Sequence, residues 1–317
     1  MLNGDEKKLI VKICKLYYFH SWTQEKIANK FGVSRPVISK LLQKARDEGI
    51  VEIIIHDDTF DTFELEHMIE NAFGLKEVVI VPTMDMNEEQ RYGAVGRAAS
   101  QYVLKLLNGQ IKRIGISWGT TLYHVIKEFP YENKKDVKVI PLVGGIGTRR
   151  IEIHSNQLAY ELSKKINGTC ESLYAPAIVE TEELKNQLYE LPNIASVIEE
   201  GKKIDLALLG IGNPFANSTM EQIGYLNRNM IRELKKAGAV GDINSRFIDA
   251  DGSVLNHPIN NKVIGIELEH LRKIPNVVGV ALGAHKADSI LSALKGRYLS
   301  AFVTDEQTAT ELVNRIR

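Results

Sequence analysis

The sequence predicts an α/β protein in two parts: a helix-turn-helix head that is winged-helix-like, and a Rossmann-like body with a doubly wound parallel sheet. Two observations predict this fold class. Residues 21–49, SWTQEKIANKFGVSRPVISKLLQKARDEG, contain two short amphipathic helical patterns joined by a glycine turn. From residue 77 onward, short apolar β runs alternate with helical patterns, which is typical of a parallel sheet covered by helices.

The first helical pattern of the head motif has a defined beginning and end. Thr23 is predicted to cap its N-terminus, because a threonine hydroxyl accepts a hydrogen bond from a free first-turn N–H. Ile27, Ala28 and Phe31 follow at helical spacing and predict one buried face. Gly32 comes directly after Phe31, at a place where a left-handed residue commonly ends a helix.

The second helical pattern begins after Ser34, the next predicted N-cap. Pro36 lies in its first turn, where a missing N–H is tolerated. Val37, Leu41 and Ala45 predict the buried stripe of this helix. Two further apolar residues stand beside that stripe, Ile38 and Leu42.

Two capped helices joined by a glycine turn form a helix-turn-helix, whose second helix lies in the DNA major groove with its N-terminal half at the base edges. A plain helical hairpin with a solvated basic face is the alternative. We favour DNA binding, because the caps, the turn and the basic face occur in the expected order. The residues that we expect to contact DNA are Thr23, Gln24, Ser34, Arg35, Pro36, Ser39, Lys40 and Lys44.

Charge is distributed unevenly along the chain. The formal net charge is zero, which by itself does not indicate nucleic-acid binding. Residues 1–55, however, hold ten Lys and Arg against six Asp and Glu, a net charge of +4, so the remaining residues carry −4. A basic head on an acidic body favours a head that binds DNA.

Composition and cysteine usage narrow the class of protein. Apolar content is ordinary for a globular chain, and no apolar run is long enough to cross a bilayer. The N-terminus is polar and lacks the pattern of a signal peptide. Cys14 and Cys170 lie far apart and lack metal-ligand spacing. We therefore expect reduced thiols, no metal, no cofactor and a cytoplasmic protein.

We predict three segments: a DNA-binding head at 1–55, a connecting helix or linker at 56–76, and an effector-binding and oligomerisation domain at 77–317. The head should begin with a helix over residues 5–19. One apolar face of that helix is predicted to contain Leu9, Ile13, Leu16 and Tyr17. Residues 50–55, IVEIII, are expected to form a wing or to pack under the head.

The connecting segment follows an acidic break at residues 57–61. It is too apolar for a solvated linker, because it holds Phe60, Phe63, Met68, Ile69 and Phe73. Either these residues form a subunit interface that couples ligand binding to the spacing of two heads, or they pack on their own domain.

The body shows a regular alternation of two patterns. The predicted strands are residues 77–82, 111–117, 137–143, 205–212, 276–283 and 300–305. Helical patterns stand between them near residues 89–107, 120–129, 156–166, 181–201, 226–237, 285–295 and 306–316.

Four of the β runs lead into glycine-bearing loops, at residues 117–121, 144–147, 210–213 and 283–286. In open α/β sheets ligands bind at the carboxyl ends of strands, where helix N-termini attract anions. Thr120, Thr121 and Lys286 add donors and positive charge. We therefore expect an anionic or polyhydroxylated small ligand, with ordinary structural turns as the alternative. No loop has the GxGxxG or Walker spacing of a nucleotide site.

Further polar residues are candidates for ligand contacts. Asp242 and Arg246 lie in one polar cluster and suit sugar hydroxyls or a phosphate, whereas an internal ion pair is the alternative. Glu267 is either a second hydroxyl acceptor or a solvated residue at a strand end. His154 and Asn156 open a helical pattern, where caps are as plausible as ligand contacts.

The chain resembles the SorC/DeoR-type bacterial transcriptional regulators over nearly its whole length, most of all sorbitol- or sorbose-operon regulators. The motifs that carry the resemblance are LYYFHSWTQEKIANKFGVSRPVISKLLQKARDEGIV, GISWGTTL, PLVGGIG, LLGIGNP, GDINSRFIDADG and KGRYLSAFVTDEQTA. The resemblance implies a sugar-binding body with the fold of glucosamine-6-phosphate deaminase and ribose-5-phosphate isomerase. It also implies tetramers, as dimers of dimers, on operator DNA.

The resemblance also implies a set of effector-binding residues. The phosphate-binding positions are Gly119, Thr120, Thr121, Gly283 and Lys286, and the sugar-facing positions are Asp242, Arg246, Glu267 and, more loosely, His154 and Asn156. Gly144 and Gly145 join the candidates because they belong to one of the glycine-bearing loops. One departure concerns the lysine that deoxyribose-phosphate-responsive members carry just before the paired glycines, where it forms a Schiff base. Val143 stands at that place here, so reversible binding is expected.

These observations together predict a DNA-binding regulator of a carbohydrate-utilisation operon that is controlled by a sugar or sugar phosphate. An isomerase or deaminase is the alternative, because the same fold class hosts such enzymes. Against an enzyme, the sequence has no evident acid/base pair at one glycine loop, and a metabolic isomerase has no use for a DNA-binding head. A nucleotide sensor is a third reading, but it lacks a phosphate loop of the required spacing.

Overall fold

The computed structural model describes residues 4–51, 62–145 and 149–316. The chain divides into two compact units, Met1–Phe60 and Asp61–Arg317. The predicted wing at 52–55, the acidic break at 57–61, Phe60 and Gly147 lie outside the described residues.

The first unit contains the predicted helices of the head. They are α1 (Gly4–Cys14), a π-helical turn (Lys15–Phe19), α2 (Gln24–Phe31) and α3 (Arg35–Asp47). The hydroxyl of Thr23 accepts from the N–H of Lys26 at 3.2 Å, which confirms the first N-cap. Gly32 ends α2 with φ 66°, in the left-handed conformation. Ser34 precedes α3 but makes no capping hydrogen bond through its side chain.

Of the predicted buried stripe of α3, Ala45 is buried, Leu41 is half-buried against the core, and Val37 is exposed, contrary to the prediction. Ile38, Leu42 and Ala45 are buried, whereas Val37 is 40 % exposed. Both sets recur at helical spacing, so periodicity alone does not choose between them. The choice is made by packing, because Ile38, Leu42 and Ala45 share one core with α1 and α2.

The same correction applies to the first helix. Ile10, Ile13 and Cys14 are buried in the core of the head, while Leu9 is 40 % exposed. Both cysteines of the chain are free thiols, as expected.

The second unit contains a sheet of nine strands within the described residues. The strands are β1 (Glu77–Val81), β2 (Arg113–Ile116), β3 (Lys138–Pro141), β4 (Thr169–Cys170), β5 (Leu206–Gly212), β6 (Gly241–Ile243), β7 (Arg246–Ile248), β8 (Asn276–Val280) and β9 (Ala301–Asp305). All six predicted strands are present. The two-residue β4 and the hairpin formed by β6 and β7 were not predicted.

The helices of this unit agree with the predicted pattern in most places. They are α4 (Phe63–Phe73), α5 (Glu88–Leu107), α6 (Thr120–Glu128), α7 (Ser155–Lys165), α8 (Glu182–Tyr189), α9 (Pro192–Gly201), α10 (Thr219–Gln222), α11 (Arg228–Lys236), α12 (Leu268–Leu271), α13 (Ala287–Lys295) and α14 (Glu306–Ile316). The single helix predicted over 181–201 is two helices, because Pro192 cannot continue α8 and instead begins α9.

The sheet is a parallel, doubly wound sheet. Its strand order is β1-β9-β8-β5-β2-β3-β4, all parallel, and β6 and β7 form an antiparallel extension at the end of β5. Residues of one strand alternate between two cores: Leu206 and Leu208 pack with α5, α6 and α7, while Ala207 and Leu209 pack with α9, α13 and α14. The carboxyl ends of the central strands therefore meet along one edge.

Helix α4 packs on its own domain. Ile69 is fully buried in the core beneath β1 and α14, and Met68 and Phe73 pack against the same core. Phe63 differs, being 61 % exposed and stacked on His67 at 5.9 Å. Packing within the domain, one of the two alternatives, thus accounts for Met68, Ile69 and Phe73, whereas it does not account for the exposed Phe63.

Among the described residues, no helix has the length and apolarity that a membrane span requires.

Candidate functional site

A cleft of about 740 Å³, open solvent at its mouth included, lies at the carboxyl ends of the central strands. Its walls are the segments that follow β2, β5 and β8, together with β6 and the first turns of α5. Three of the four predicted glycine loops contribute to it, at residues 117–121, 210–213 and 283–286.

The N-terminus of α6 opens into this cleft. Gly119 precedes the helix with φ 122°, a conformation that favours glycine, and no side chain caps the helix. The first N–H groups of a helix have no partner within it and carry a partial positive charge. Thr120 and Thr121 add hydroxyl groups at the same point. This end of the cleft suits an anion.

A tight turn between β6 and β7 supports the floor of the cleft. Asn244 and Ser245 have φ 51° and 65°, the two left-handed residues of a type I′ hairpin turn. The hydroxyl of Ser117 donates to Asn244 Oδ1 at 2.9 Å, and Trp118 Nε1 donates to Ser245 Oγ at 2.8 Å. The amide of Asn244 also donates to the carbonyl of Leu142 at 3.0 Å. The turn therefore anchors the segment that leads into α6.

Asp242 presents a buried carboxyl to the cleft. It pairs with Gly212 across the antiparallel strands β5 and β6. Burial raises the pKa of this carboxyl to about 7, although the charge of Lys286 and a backbone hydrogen bond from Ser245 act in the opposite direction. Burial also lowers the pKa of the Lys286 ammonium, against the attraction of Asp242. The protonation state of Asp242 in the cleft thus depends on that of Lys286, and that of Lys286 depends on Asp242.

Lys286 is held by the loop after β8. The N–H of Lys286 donates to the carbonyl of Gly283 at 2.8 Å, and the N–H of Gly283 donates to Thr308 Oγ1 at 2.7 Å. Asn213 connects the loop after β5 to the loop after β8, because its side-chain amide donates to the carbonyl of His285 at 2.6 Å. Gly283 itself is not a lining residue, and its role is to form the turn with φ 110°.

Arg246 and Glu267 lie outside this cleft, contrary to the expectation that they join Asp242 and Lys286. The Arg246 side chain is 2 % exposed and donates to Glu267 Oε1 at 2.8 Å. It also donates to three backbone carbonyls within 3.3 Å, those of Ile266, Asn260 and Gly265. The internal ion pair was the alternative, and it accounts for the buried guanidinium, because each of its three nitrogens donates to at least one acceptor.

Four other predicted residues also lie outside the cleft. His154 contacts the carbonyl of Arg149 at 3.0 Å through Nε2. The side-chain amide of Asn156 donates to the carbonyl of Leu173 at 3.0 Å, and its Oδ1 accepts from the N–H of Leu173 at 2.8 Å. Gly144 and Gly145 allow close approach of chain segments, since a Cβ on either would lie 2.7 Å or less from Pro176 O or Ser155 Oγ.

Several residues that line the cleft were not among the predicted ligand contacts: Glu88, Tyr92, Ser117, Asn213 and Asn244. Asn213 and Ser117 belong to loops that the sequence did indicate. Asn244 had a detectable signal, because an Asn-Ser pair between two short apolar runs suits a two-residue hairpin turn. Glu88 and Tyr92 had none, since their helix reaches the cleft only through the fold.

The outer face of α3 divides into two halves. The side chains of Arg35, Ser39 and Lys40 are exposed, and among the described residues they form no hydrogen bond or ion pair. Lys44, in contrast, pairs with Glu6 at 2.6 Å. On α2, Thr23 is occupied with capping, and Gln24 is the first helical residue. The free polar groups thus belong to the N-terminal half of α3, where a recognition helix meets base edges.

The chain is similar in sequence to a known domain family and to known regulators. Residues 57–314 match Sugar-bind, a family of sugar-binding domains. The chain is 32 % identical to the deoxyribonucleoside regulator of Bacillus subtilis, with 99 % of each chain covered.

Two solved structures are also similar. The full-length sorbitol operon regulator SorC from Klebsiella pneumoniae has a TM-score of 0.77 and 31 % identity, with 98 % of this chain and all of that chain covered. A DeoR family transcriptional regulator from Listeria monocytogenes has a TM-score of 0.75 and 40 % identity, over 80 % of this chain and all of that one.

Proposed function

This chain belongs to the SorC/DeoR-type family of transcriptional regulators with a sugar-binding domain, and we propose that a sugar phosphate binds reversibly in its cleft. It is a sugar-responsive transcriptional regulator. The observation that carries the proposed ligand is the meeting, in one cleft, of the open N-terminus of α6, Lys286 and the carboxyl of Asp242.

The phosphate is proposed to lie at the start of α6. Unpaired helical N–H groups and the hydroxyls of Thr120 and Thr121 would donate to its oxygens, and Lys286 would supply positive charge. Gly119 supports this placement. Its φ of 122° favours glycine, and the space that a Cβ would occupy is open, with no protein atom within 4 Å. Chain and ligand can therefore approach closely at this point.

The hydroxylated part of the ligand is proposed to lie against Asp242 and Asn213. Asp242 can accept hydrogen bonds when ionised and donate one when protonated. Asn213 is less free, because its Oδ1 accepts from the N–H groups of Phe215 and Ala216 at 2.8 and 3.2 Å. Asp242 is therefore the stronger candidate for recognising a hydroxyl. Arg246, Glu267, His154 and Asn156 are left out of this proposal, since their polar atoms are engaged elsewhere.

The head is proposed to bind operator DNA through α3, with Arg35, Ser39 and Lys40 nearest the duplex and with Gln24 and Ser34 at the backbone. Lys and Arg contacts to phosphates would supply most of the affinity, and a few side chains would choose bases. A regulator of this kind acts in the cytoplasm, where operator DNA lies. We propose a homotetramer, as a dimer of dimers, whose spacing of heads changes when ligand binds. Ligand can shift that equilibrium only by its differential affinity for the two arrangements.

Calorimetry on the full chain tests the ligand class. Hexose 6-phosphates and pentose 5-phosphates should bind, whereas the corresponding free sugars should bind at least tenfold more weakly. Replacing Lys286 with Met should remove most of this preference. Lys112→Met is a matched control, because the Lys112 side chain is 61 % exposed and its ammonium lies 3.8 Å from the carboxylate of Asp136, a residue that does not line the cleft. A phosphate site would be excluded if neither the unaltered chain nor Lys286→Met distinguished phosphorylated from free sugars.

A second assay separates regulation from catalysis. The proposal that this chain is not an enzyme predicts that bound sugar phosphates are recovered unchanged after prolonged incubation with the protein. Conversion of an aldose phosphate to a ketose phosphate, lost in Asp242→Asn, would favour an isomerase instead. In the same samples, ligand should change the affinity of the full chain for operator DNA.

A further inference from the structure

Val37 occupies an unusual position in the head. It lies in the N-terminal half of α3, and 40 % of its surface is exposed. Within the described residues of the head, α3 contributes Ile38, Leu42, Ala45 and, at the margin, Leu41 to the core, but not Val37. Helix formation gains nothing from it either, because β-branched residues are weaker helix formers than most. Folding therefore gives no reason for a valine here.

The surroundings of Val37 are polar and open. Arg35 and Ser39 stand two residues away on either side, and Lys40 stands one turn further along. Among the described residues, none of these three side chains has a hydrogen bond or ion pair. On a helix surface residues three apart are neighbours, so Lys40 lies beside Val37, whereas Arg35 and Ser39 project from other sides of the same two turns.

The rest of the outer face of α3 is occupied differently. Lys44 pairs with Glu6 at 2.6 Å. Gln43 donates to Asp47 at 2.8 Å, and Arg46 donates to Tyr18 at 3.2 Å. As far as the described residues show, the unengaged polar side chains of this face lie in the first two turns, the part of a recognition helix that meets base edges.

We propose that Val37 is a specificity-determining residue that packs against the C5-methyl group of a thymine in the operator. Among the four unmodified bases, only thymine presents an apolar group in the major groove. The flanking donors of Arg35, Ser39 and Lys40 suit the acceptors of neighbouring bases and phosphates. This inference rests on the proposed DNA binding by the head. It adds that one thymine is recognised through an apolar contact rather than through a hydrogen bond.

The test begins with duplexes selected from a random-sequence library by the full-length protein without added sugar. Each thymine of the selected site is then replaced by uracil, which removes one methyl group and keeps every hydrogen-bonding edge. Uracil at one thymine per half-site should weaken binding about fourfold, the fold-change that corresponds to ~0.8 kcal/mol for one buried methyl-sized group. Uracil at the other thymines should have little effect.

Variants assign the effect to Val37. Val37→Ala should bind the thymine site more weakly and should no longer distinguish thymine from uracil at that position. Val37→Thr keeps one methyl group and should retain part of the discrimination. Leu9→Ala is a matched control, because Leu9 is also a 40 % exposed apolar residue of the head, on α1, and should leave discrimination unchanged. Thermal unfolding checks that each variant is folded.

The outcomes separate this inference from the proposed function. Failure to select any preferred sequence would remove the proposed operator binding itself. A selected site in which uracil is tolerated at every thymine would overturn the role of Val37 and leave DNA binding intact. Retention of the uracil penalty in Val37→Ala would do the same, because the methyl group would then be read by another residue.

Discussion

A Cβ atom on Gly212 would lie 1.9 Å from Oδ1 of Asp242, so the carboxyl occupies the space that any larger residue would need. The two residues are partners across strands β5 and β6. The Asp242 carboxyl can therefore take its position in the cleft because residue 212 is a glycine and has no side chain.

Gly212→Ala should displace the Asp242 carboxyl and weaken sugar phosphate binding at least tenfold. Overpacking at a buried contact should also lower the free energy of unfolding by about 1–3 kcal/mol. Calorimetry and denaturant unfolding measure the two effects. Gly93→Ala is the control: Gly93 lies within α5, a Cβ there would make an ordinary contact with Oε1 of Glu128 at 3.9 Å, and the substitution should leave binding unchanged. Normal affinity in Gly212→Ala would show that Asp242 does not contact the ligand.

Asp242 should make ligand-free stability depend on pH. Burial raises the pKa of this carboxyl from 3.8 to about 7 in the folded protein, so the folded state binds more protons than the unfolded state between those values. The free energy of unfolding should therefore fall as pH rises from about 4 to 7, by ~1.4 kcal/mol for each pKa unit of difference. Asp242→Asn lacks this titration, and the difference between the two proteins should widen across that range. Parallel pH curves would contradict the raised pKa.

Trp118 should report on the hairpin turn beneath the cleft. Its indole N–H donates to Ser245 Oγ at 2.8 Å, and the ring is buried. Ser245→Ala should leave that donor unpaired and cost about 1–3 kcal/mol of unfolding free energy. Ser245→Gly should cost less, because glycine adopts the required φ of 65° more readily. Fluorescence in a Trp22→Phe background isolates Trp118, and equal stability of the two variants would argue against the turn conformation assigned here.

Arg246 and Lys286 should respond to substitution in opposite ways. Arg246→Met leaves Glu267 without its guanidinium partner and several carbonyls without donors, so we expect a loss of about 3–5 kcal/mol in stability. Lys286→Met should retain stability, because it removes a buried ammonium whose pKa is already lowered by burial. It should nevertheless lose phosphate binding. Chemical denaturation and calorimetry of both variants distinguish a structural arginine from a ligand-binding lysine, and an unfolded Lys286→Met would reverse this assignment.

Lys40 should contribute to DNA affinity without choosing bases. Lys40→Ala should weaken all duplexes by a similar factor and reduce the slope of log affinity against log salt by about one. Lys105→Ala is a suitable control, since Lys105 lies in the body and pairs with Glu77 at 3.0 Å. A sequence-dependent loss in Lys40→Ala would indicate a base contact instead.

Local patterns were sufficient for much of the fold. The caps and left-handed glycine around α2 follow from short-range chemistry at Thr23 and Gly32, and each was predicted. The six main strands were predicted because continuous apolar runs between helical patterns signal a buried parallel sheet. The loops at the strand ends followed from the same alternation, since such a sheet brings those ends together.

Other features depended on which segments meet in space. Val37 and Ile38 are equally apolar neighbours, and only the packing of α3 against α1 and α2 decides that Ile38 is buried and Val37 exposed. The hairpin of β6 and β7 was missed, because three-residue strands carry too short a pattern to be distinguished from a loop. Its pairing with the end of β5 is a long-range contact.

The same distinction applies to the cleft. Glycine loops, threonines and a lysine at helix starts are visible in the sequence, because those choices reflect local backbone requirements. That Asp242 joins Lys286, while Arg246 four residues further on pairs with Glu267, follows from long-range packing alone. Successive residues of a strand point to opposite sides and the turn redirects the chain, so spacing along the sequence does not reveal which polar groups share a cavity. The physical reason is that burial penalises an unpaired charge, and which charges find partners is settled by packing rather than by sequence distance.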